Sequence, residues 1–275
     1  MTVYPSGPGS CLQNSVRGFD SRHGLHGLDF RISFGHNICV KTDSRGGYNS
    51  FSFDTNFFKK WSPAMAYTLG FIFADGTIID AQKSSRTCYL RIDNTDKIIL
   101  EKIKLALSSN HPITSTNPKS ANIRNKIFSS KPKYSLRIGS KQLFQDLLNL
   151  GLIPNKSLTI SLPKIPNQYF KFFLRGYFDG DGCLNLYQPH GRNKPIVNVI
   201  FTSGSKNLLR AISIALKEKI SLPIKNIYYN SHAYRLSYKQ SSAMKILDFM
   251  YQNLNQSPYL IRKHNIYHQI PTFKP

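Results

Sequence analysis

An apolar segment that ends in Asp-Gly occurs twice in this chain, at Asp75-Gly76 and again 106 residues later at Asp181-Gly182. The residues after each pair are laid out in the same order, and this duplication constrains the fold more than any other feature. Ser62-Pro63 opens the first segment as helix cap and first helical residue, ahead of Met65, Ala66, Leu69, Gly70, Ile72 and Phe73. Pro166-Asn167 leads into the second, through Phe170, Phe173, Leu174, Tyr177 and Phe178. Strand patterns come next: 77–81 and 87–92 around Lys83-Ser84-Ser85-Arg86, and 183–187 and 196–202 around Pro189-His190-Gly191-Arg192. Each copy continues with an amphipathic helix. The first starts near Thr95 and carries Ile99, Ile103, Ala106 and Leu107; the second starts at Ser205 and carries Leu208, Leu209, Ile212, Ala215 and Leu216. Two further strands end in 134–138 and 234–238, and a last helix closes each copy over 141–150, stopped by Gly151, and over 242–254.

The pattern predicts an α+β fold of two α-β-β-α-β-β-α halves related by a pseudo-twofold axis. The expected divisions are a flexible irregular extension over 1–50, an N-terminal half over 51–153, a linker over 154–165 and a C-terminal half over 166–275. Residues 1–50 scatter Gly, Ser, Pro, Asn and His without a sustained period. Within them, Gly18-Phe19-Asp20-Ser21-Arg22 can be encoded by GGG-TTC-GAT-TCC-CGT, a string that contains GGTTCGATTCC, the form of a transfer RNA T-arm, which suggests a reading frame that begins inside or beside such a gene.

Charge sets the partner class. Lys and Arg number 37 against 14 Asp and Glu, a net charge of +23. That excess excludes an ordinary metabolic enzyme as first reading and calls for a polyanion. A membrane partner is not expected, because no apolar run approaches the ~20 residues of a spanning helix. The first 30 residues hold no continuous apolar stretch, so the expected location is cytoplasm or nucleoid, or an organelle matrix, without secretion. Cys11, Cys39, Cys88 and Cys183 form no C-x-x-C pair, and His23, His26 and His36 lack H-x-x-x-H spacing, so a zinc site is not expected. No Walker A string is present.

The chemistry concentrates in two nine-residue windows, Thr68-Leu69-Gly70-Phe71-Ile72-Phe73-Ala74-Asp75-Gly76 and Leu174-Arg175-Gly176-Tyr177-Phe178-Asp179-Gly180-Asp181-Gly182. Gly70 and Ala74 are four apart, as are Gly176 and Gly180, so each pair shares one helix face and lets two backbones approach closely. If the two helices pack about the pseudo-twofold, Asp75 and Asp181 meet at their ends. Two adjacent carboxylates repel unless a divalent cation sits between them, and hard oxygen ligands suit Mg²⁺. Such a metal near a phosphate supports phosphodiester hydrolysis.

Both windows resemble the LAGLIDADG motif of homing endonucleases, and the repeat order is similar to the single-chain, two-motif members of that family. The resemblance spans roughly 57–275. It implies two four-stranded antiparallel saddle-shaped sheets over double-stranded DNA, with the motif helices at the interface. It implies a monomeric endonuclease that cuts both strands of a long target with Mg²⁺, or another divalent cation such as Mn²⁺. The metal would be held by Asp75 and Asp181, helped by the carbonyls of Ala74 and Gly180. A family basic residue near each scissile phosphate, at the end of the last strand, points to Lys141 and Lys239. The sixth motif position departs from symmetry, with Phe73 in one copy and Asp179 in the other. Intron RNA is a second candidate partner, through a maturase role on the same scaffold; a non-catalytic DNA-binding regulator is the other alternative.

Strand alternation nominates the DNA face. With Cys88, Leu90 and Ile92 inward, Tyr89 and Arg91 point outward; Arg137, Asn185, Tyr187, Arg235 and Ser237 share that face by the same parity. Loop cations Lys83, Arg86, Lys131, Lys133, Arg192 and Lys194 suit phosphates.

Overall fold

A computed structural model describes residues 51–81, 87–118, 120–123, 126–191 and 195–270. The expected extension over 1–50, with its T-arm stretch and three histidines, lies outside the described residues. So do Lys83, Arg86, Arg192 and Lys194.

The first half runs α1 (Pro63–Asp75), β1 (Gly76–Ala81), β2 (Thr87–Asn94), α2 (Lys97–Ala106), β3 (Ile113–Thr116), β4 (Ser120–Ile123), β5 (Lys126–Ser129), β6 (Lys133–Gly139) and α3 (Lys141–Asn149). The second runs α4 (Phe170–Asp181), β7 (Gly182–Tyr187), β8 (Ile196–Ser203), α5 (Lys206–Ile220), β9 (Ile227–Asn230), β10 (Ala233–Lys239), α6 (Gln240–Tyr251) and α7 (Ile261–Gln269). The helix starts are set by polar caps: the Ser62 hydroxyl accepts from Met65 N at 3.1 Å, and that of Ser140 from Leu143 N at 3.2 Å. Gly151, at φ +87°, takes the left-handed conformation that ends α3.

Each half builds a four-stranded antiparallel sheet, in the orders β1-β2-β6-β3 and β7-β8-β10-β9. The two orders are equivalent strand for strand, so the α+β class and the duplicated topology expected from the sequence hold. Two elements were not anticipated. A separate hairpin, β4-β5, is inserted into the first half, and α7 extends the second. Their short polar segments carry too weak a period to announce them.

Alternation gives each sheet one apolar face. Ile78, Cys88, Leu90, Ile92, Leu136 and Ile138 are buried in the first sheet, and Leu184, Val197, Val199, Phe201, Leu236 and Tyr238 in the second. Helices α1 and α4 are the exception to amphipathic design. Every residue from Met65 to Phe73 is buried, as is every residue from Phe172 to Asp179. Helices buried on every side belong inside a core, and these two lie against each other at the centre of the molecule.

Candidate active site

The contact between α1 and α4 is made by backbone. A Cβ placed on Gly70 would overlap the Phe173 carbonyl oxygen and come within 2.9 Å of Tyr177 N. One on Gly176 would overlap the Tyr67 carbonyl oxygen and come within 2.9 Å of Phe71 N. The two glycines therefore serve each other's helix in a crosswise exchange. Further along, a Cβ on Gly180 would meet Ala74 Cβ and lie 3.4 Å from Asp75 Cγ. The helix ends, and with them Asp75 and Asp181, are thus brought side by side.

Around the two acids the structure places few partners. Asp75 Oδ2 accepts from Asn94 Nδ2, at the end of β2, at 2.7 Å. Burial raises the pKa of Asp75. Asp181 is pushed up to about 6, first by burial and then by the negative charge of Asp75. The cations that oppose these shifts are Lys156 and Lys263, joined at Asp75 by Arg262.

Neither lysine was singled out in the sequence, yet they hold equivalent places. Lys156 follows Asp75 by 81 residues and Lys263 follows Asp181 by 82. Both are buried. Lys156 Nζ donates to the carbonyls of Phe73 at 2.7 Å and Ala74 at 3.0 Å, which caps the end of α1. Lys263 Nζ donates to the carbonyls of Phe178, Asp179 (3.1 Å) and Gly182 (2.6 Å), which caps the end of α4. A cation at a helix C-terminus satisfies carbonyls that have no intrahelical donor and offsets the negative end of the dipole. Burial lowers the pKa of Lys263 to about 8. The repeated offset from the motif acid was the available signal. It was hidden because Lys156 falls in the stretch expected to be a mere linker, and Lys263 in a helix with no clear period.

The expected basic pair lies at exposed ends of a helix and a strand. Lys141 opens α3 and Lys239 ends β10, both are exposed, and neither is among the charges that bear on Asp75 or Asp181. Lys239 instead shares a cross-strand row with Asn198 and Asn185 on the outward face of the second sheet. The carbonyl of Ala74 already accepts from Lys156.

The two sheets carry polar outward faces. In the first, Thr77, Arg91 and Arg137 form one cross-strand row, and the Arg137 guanidinium lies 3.7 Å from the ring centre of Tyr89. Asp93 pairs with Arg91 at 3.2 Å and Lys133 at 3.1 Å. In the second, Arg235 lies between Thr202 and Tyr228, and Ser237 donates to Asn198 at 2.6 Å. Tyr187, Tyr228 and Lys131 are exposed. Thr77, Asn198, Thr202 and Tyr228 join this face without having been named from the sequence; parity from their buried neighbours would have given them.

The donor set suits a hard divalent cation. Two carboxylates share one pocket of negative charge, and the lysines nearby are occupied by backbone carbonyls. Among the described residues no third His, Cys, Asp or Glu joins them, so further ligands would be oxygens of backbone carbonyls, water or a substrate, as Mg²⁺ accepts readily. One consequence is measurable in metal-free protein. Asp181 goes from an ordinary 3.8 when unfolded to about 6 when folded. Its stabilising contribution is complete below the unfolded value and is lost as pH rises through 6. The melting temperature relative to Asp181→Asn should fall between about pH 4 and pH 6. A difference that stays flat across that window would mean the carboxyl is solvated.

Residues 171–247 match the family model of the LAGLIDADG-like domain. No curated protein sequence matches the chain. Among solved structures, the LAGLIDADG meganuclease I-AabMI bound to uncleaved DNA is similar at 14% identity and a TM-score of 0.47, over 76% of this chain and 88% of that one. The homing endonuclease I-WcaI bound to its DNA recognition sequence gives 12% and 0.47, over 74% and 92%. The I-SmaMI LAGLIDADG homing endonuclease bound to cleaved DNA gives 16% and 0.48, over 76% and 87%. No described helix is long and apolar enough to cross a membrane.

Proposed function

We propose that this chain, whose residues 171–247 match the model of the LAGLIDADG-like domain, is a site-specific endonuclease that hydrolyses both strands of a long double-stranded DNA target with a divalent cation, Mg²⁺ or Mn²⁺. The observation that carries the reading is the pair Asp75 and Asp181, set side by side at the ends of two equivalent helices. Because one chain supplies both acids, a monomer suffices.

Asp75 and Asp181 would hold the cation. When bound, such a cation lowers the pKa of a water and offsets charge on a leaving 3′ oxygen. The protein's own groups do the rest. Asn94 fixes the Asp75 carboxylate by its 2.7 Å hydrogen bond. Lys156 and Lys263 tie down the two helix ends and place positive charge where a scissile phosphate would lie. Outward rows such as Arg91–Arg137 and Asn185–Asn198–Lys239 present donors for base edges in the major groove. Lys131 and Lys133 suit the phosphate backbone, as do the four loop cations outside the described residues. Retention of both acids weighs against a regulator that only binds DNA.

The direct test is incubation of the purified chain with the uninterrupted form of the DNA that flanks its gene. Linear product should form with Mg²⁺ and not with EDTA. DNA that stays intact with both Mg²⁺ and Mn²⁺ would sink the proposal. In the same assay Lys156→Met and Lys263→Met should each slow cleavage by about 10²-fold, as loss of one fixed charge at a reacting phosphate does, and the expected Lys141→Met should not. Equal losses at Lys141 would restore the strand-end lysine as the basic group.

A further inference from the structure

Asp179 is the sole fully buried carboxylate among the described residues. It stands on α4 where α1 has Phe73, which packs edge-on against Phe173 at 5.4 Å. Burying a charge is costly unless it is held by several partners, and its partners here are specific. Asp179 Oδ2 accepts from the Tyr67 hydroxyl of α1 at 2.7 Å and from the backbone N–H of Leu260 at 2.8 Å.

The second of these bonds fixes the approach to α7. The same segment is held from two more sides. Arg175, fully buried one turn before Asp179, donates to the Met250 carbonyl at 2.9 Å and to the Ser257 hydroxyl. Lys102 of α2, in the other half, donates to the Tyr259 carbonyl at 3.2 Å, with its ammonium 4.1 Å from the Tyr259 ring centre. Three residues beyond Leu260 stands Lys263, against the carbonyls that end α4. Lys156 reaches the end of α1 from a segment held by no fully buried carboxylate among the described residues. The two halves therefore present equivalent lysines through different supports.

We propose that Asp179 is a positioning residue: it anchors residues 257–263 through Leu260 and so sets Lys263 beside the paired acids, on one half of the site only. The inference rests on the proposed endonuclease reading for its functional consequence, though not for the anchor itself. Asp179 touches no reacting atom, so it acts through Lys263. Its loss should then fall on one DNA strand and should add nothing once Lys263 is gone.

The test uses the full chain as wild type, Asp179→Asn, Lys263→Met and the double variant. Asn keeps the shape and removes the charge. Amide hydrogen exchange in 257–263 should rise at least about tenfold in Asp179→Asn, with 156–160 unchanged, as expected when a charge-assisted hydrogen bond becomes a neutral one. On a supercoiled plasmid carrying the uninterrupted flanking DNA, the variant should accumulate nicked circles where wild type gives linear product. The double variant should cut no slower than Lys263→Met. Unchanged exchange, equal slowing of both strands, or multiplicative losses in the double variant would each overturn the inference. If Asp179→Asn fails to fold, Tyr67→Phe removes one of the two donors and should give the same contrasts at smaller size. A plasmid left intact by wild type defeats the proposed function, and the exchange comparison then decides on the anchor alone.

Discussion

On the proposed function, Asp75→Asn and Asp181→Asn should each reduce double-strand cleavage by at least about 10³-fold, the scale of losing a metal ligand from a hydrolytic centre, while DNA binding should stay within about tenfold. The separation comes from where the acids sit. They lie between the halves, at the ends of α1 and α4, whereas the outward faces of the sheets hold the groups that would touch DNA. The substitution is close to isosteric, so the helix packing is retained. It also removes a charge that burial first and mutual repulsion second make costly at Asp181, so the metal-free protein should be no less stable than wild type. Cleavage rates on a labelled duplex and gel-shift titration of the same duplex check both halves of the statement. Undiminished cutting by either variant would show that the chemistry uses other acids.

Gly176→Ala, a single added methyl group, should cost about 3 kcal/mol or more, the upper end for an overpacked core position. Overpacking is usually relieved by rotation of a flexible neighbour. Here the obstruction is the Tyr67 carbonyl and the Phe71 amide, both backbone of α1, and neither can rotate away. For a chain of this size the loss corresponds to a fall of roughly 6–12 °C in melting temperature. Gly70→Ala meets the Phe173 carbonyl and the Tyr177 amide and should lose a similar amount. Gly191→Ala is the control, because nothing lies within 4 Å of its Cβ position, although its φ of +77° adds some backbone strain. A melting temperature unchanged in Gly176→Ala would take that glycine out of the interface.

The duplicated topology was legible because it is written in local signals. Ser62-Pro63 and Asp75-Gly76 bound a helix by capping chemistry and by a chain-leaving glycine, and alternation of Cys88, Leu90 and Ile92 gives a sheet face directly. The pair of acids was legible for the same reason, since Gly70, Gly176 and the Asp-Gly ends are periodic in the chain. Lys156 and Lys263 were not. Their partners are carbonyl oxygens 81 or more residues away, and carbonyls carry no side-chain identity for a sequence to display. Buried lysines also contradict the usual reading of Lys as a solvated charge, whereas Lys141 and Lys239 were pointed to by their places at strand ends. Asp179 was visible as a break in symmetry between the motifs. Its bond to Leu260 depends on a return of the chain from 81 residues away that no local pattern encodes.

The crosswise glycine contact has a consequence for the DNA as well as for the fold. A seam made of main-chain atoms has no rotamers to shift, so the two sheets are held at one separation and one relative angle, as the arms of a fixed calliper are. Inserting a single base pair between the two halves of a target displaces the second by about 3.4 Å and turns it by about a tenth of a helical repeat. A calliper cannot follow that change, whereas a changed base inside one arm's reach costs only its own contacts. On the proposed function, the target should tolerate several scattered substitutions and yet be lost to a one-base-pair change in its central spacing.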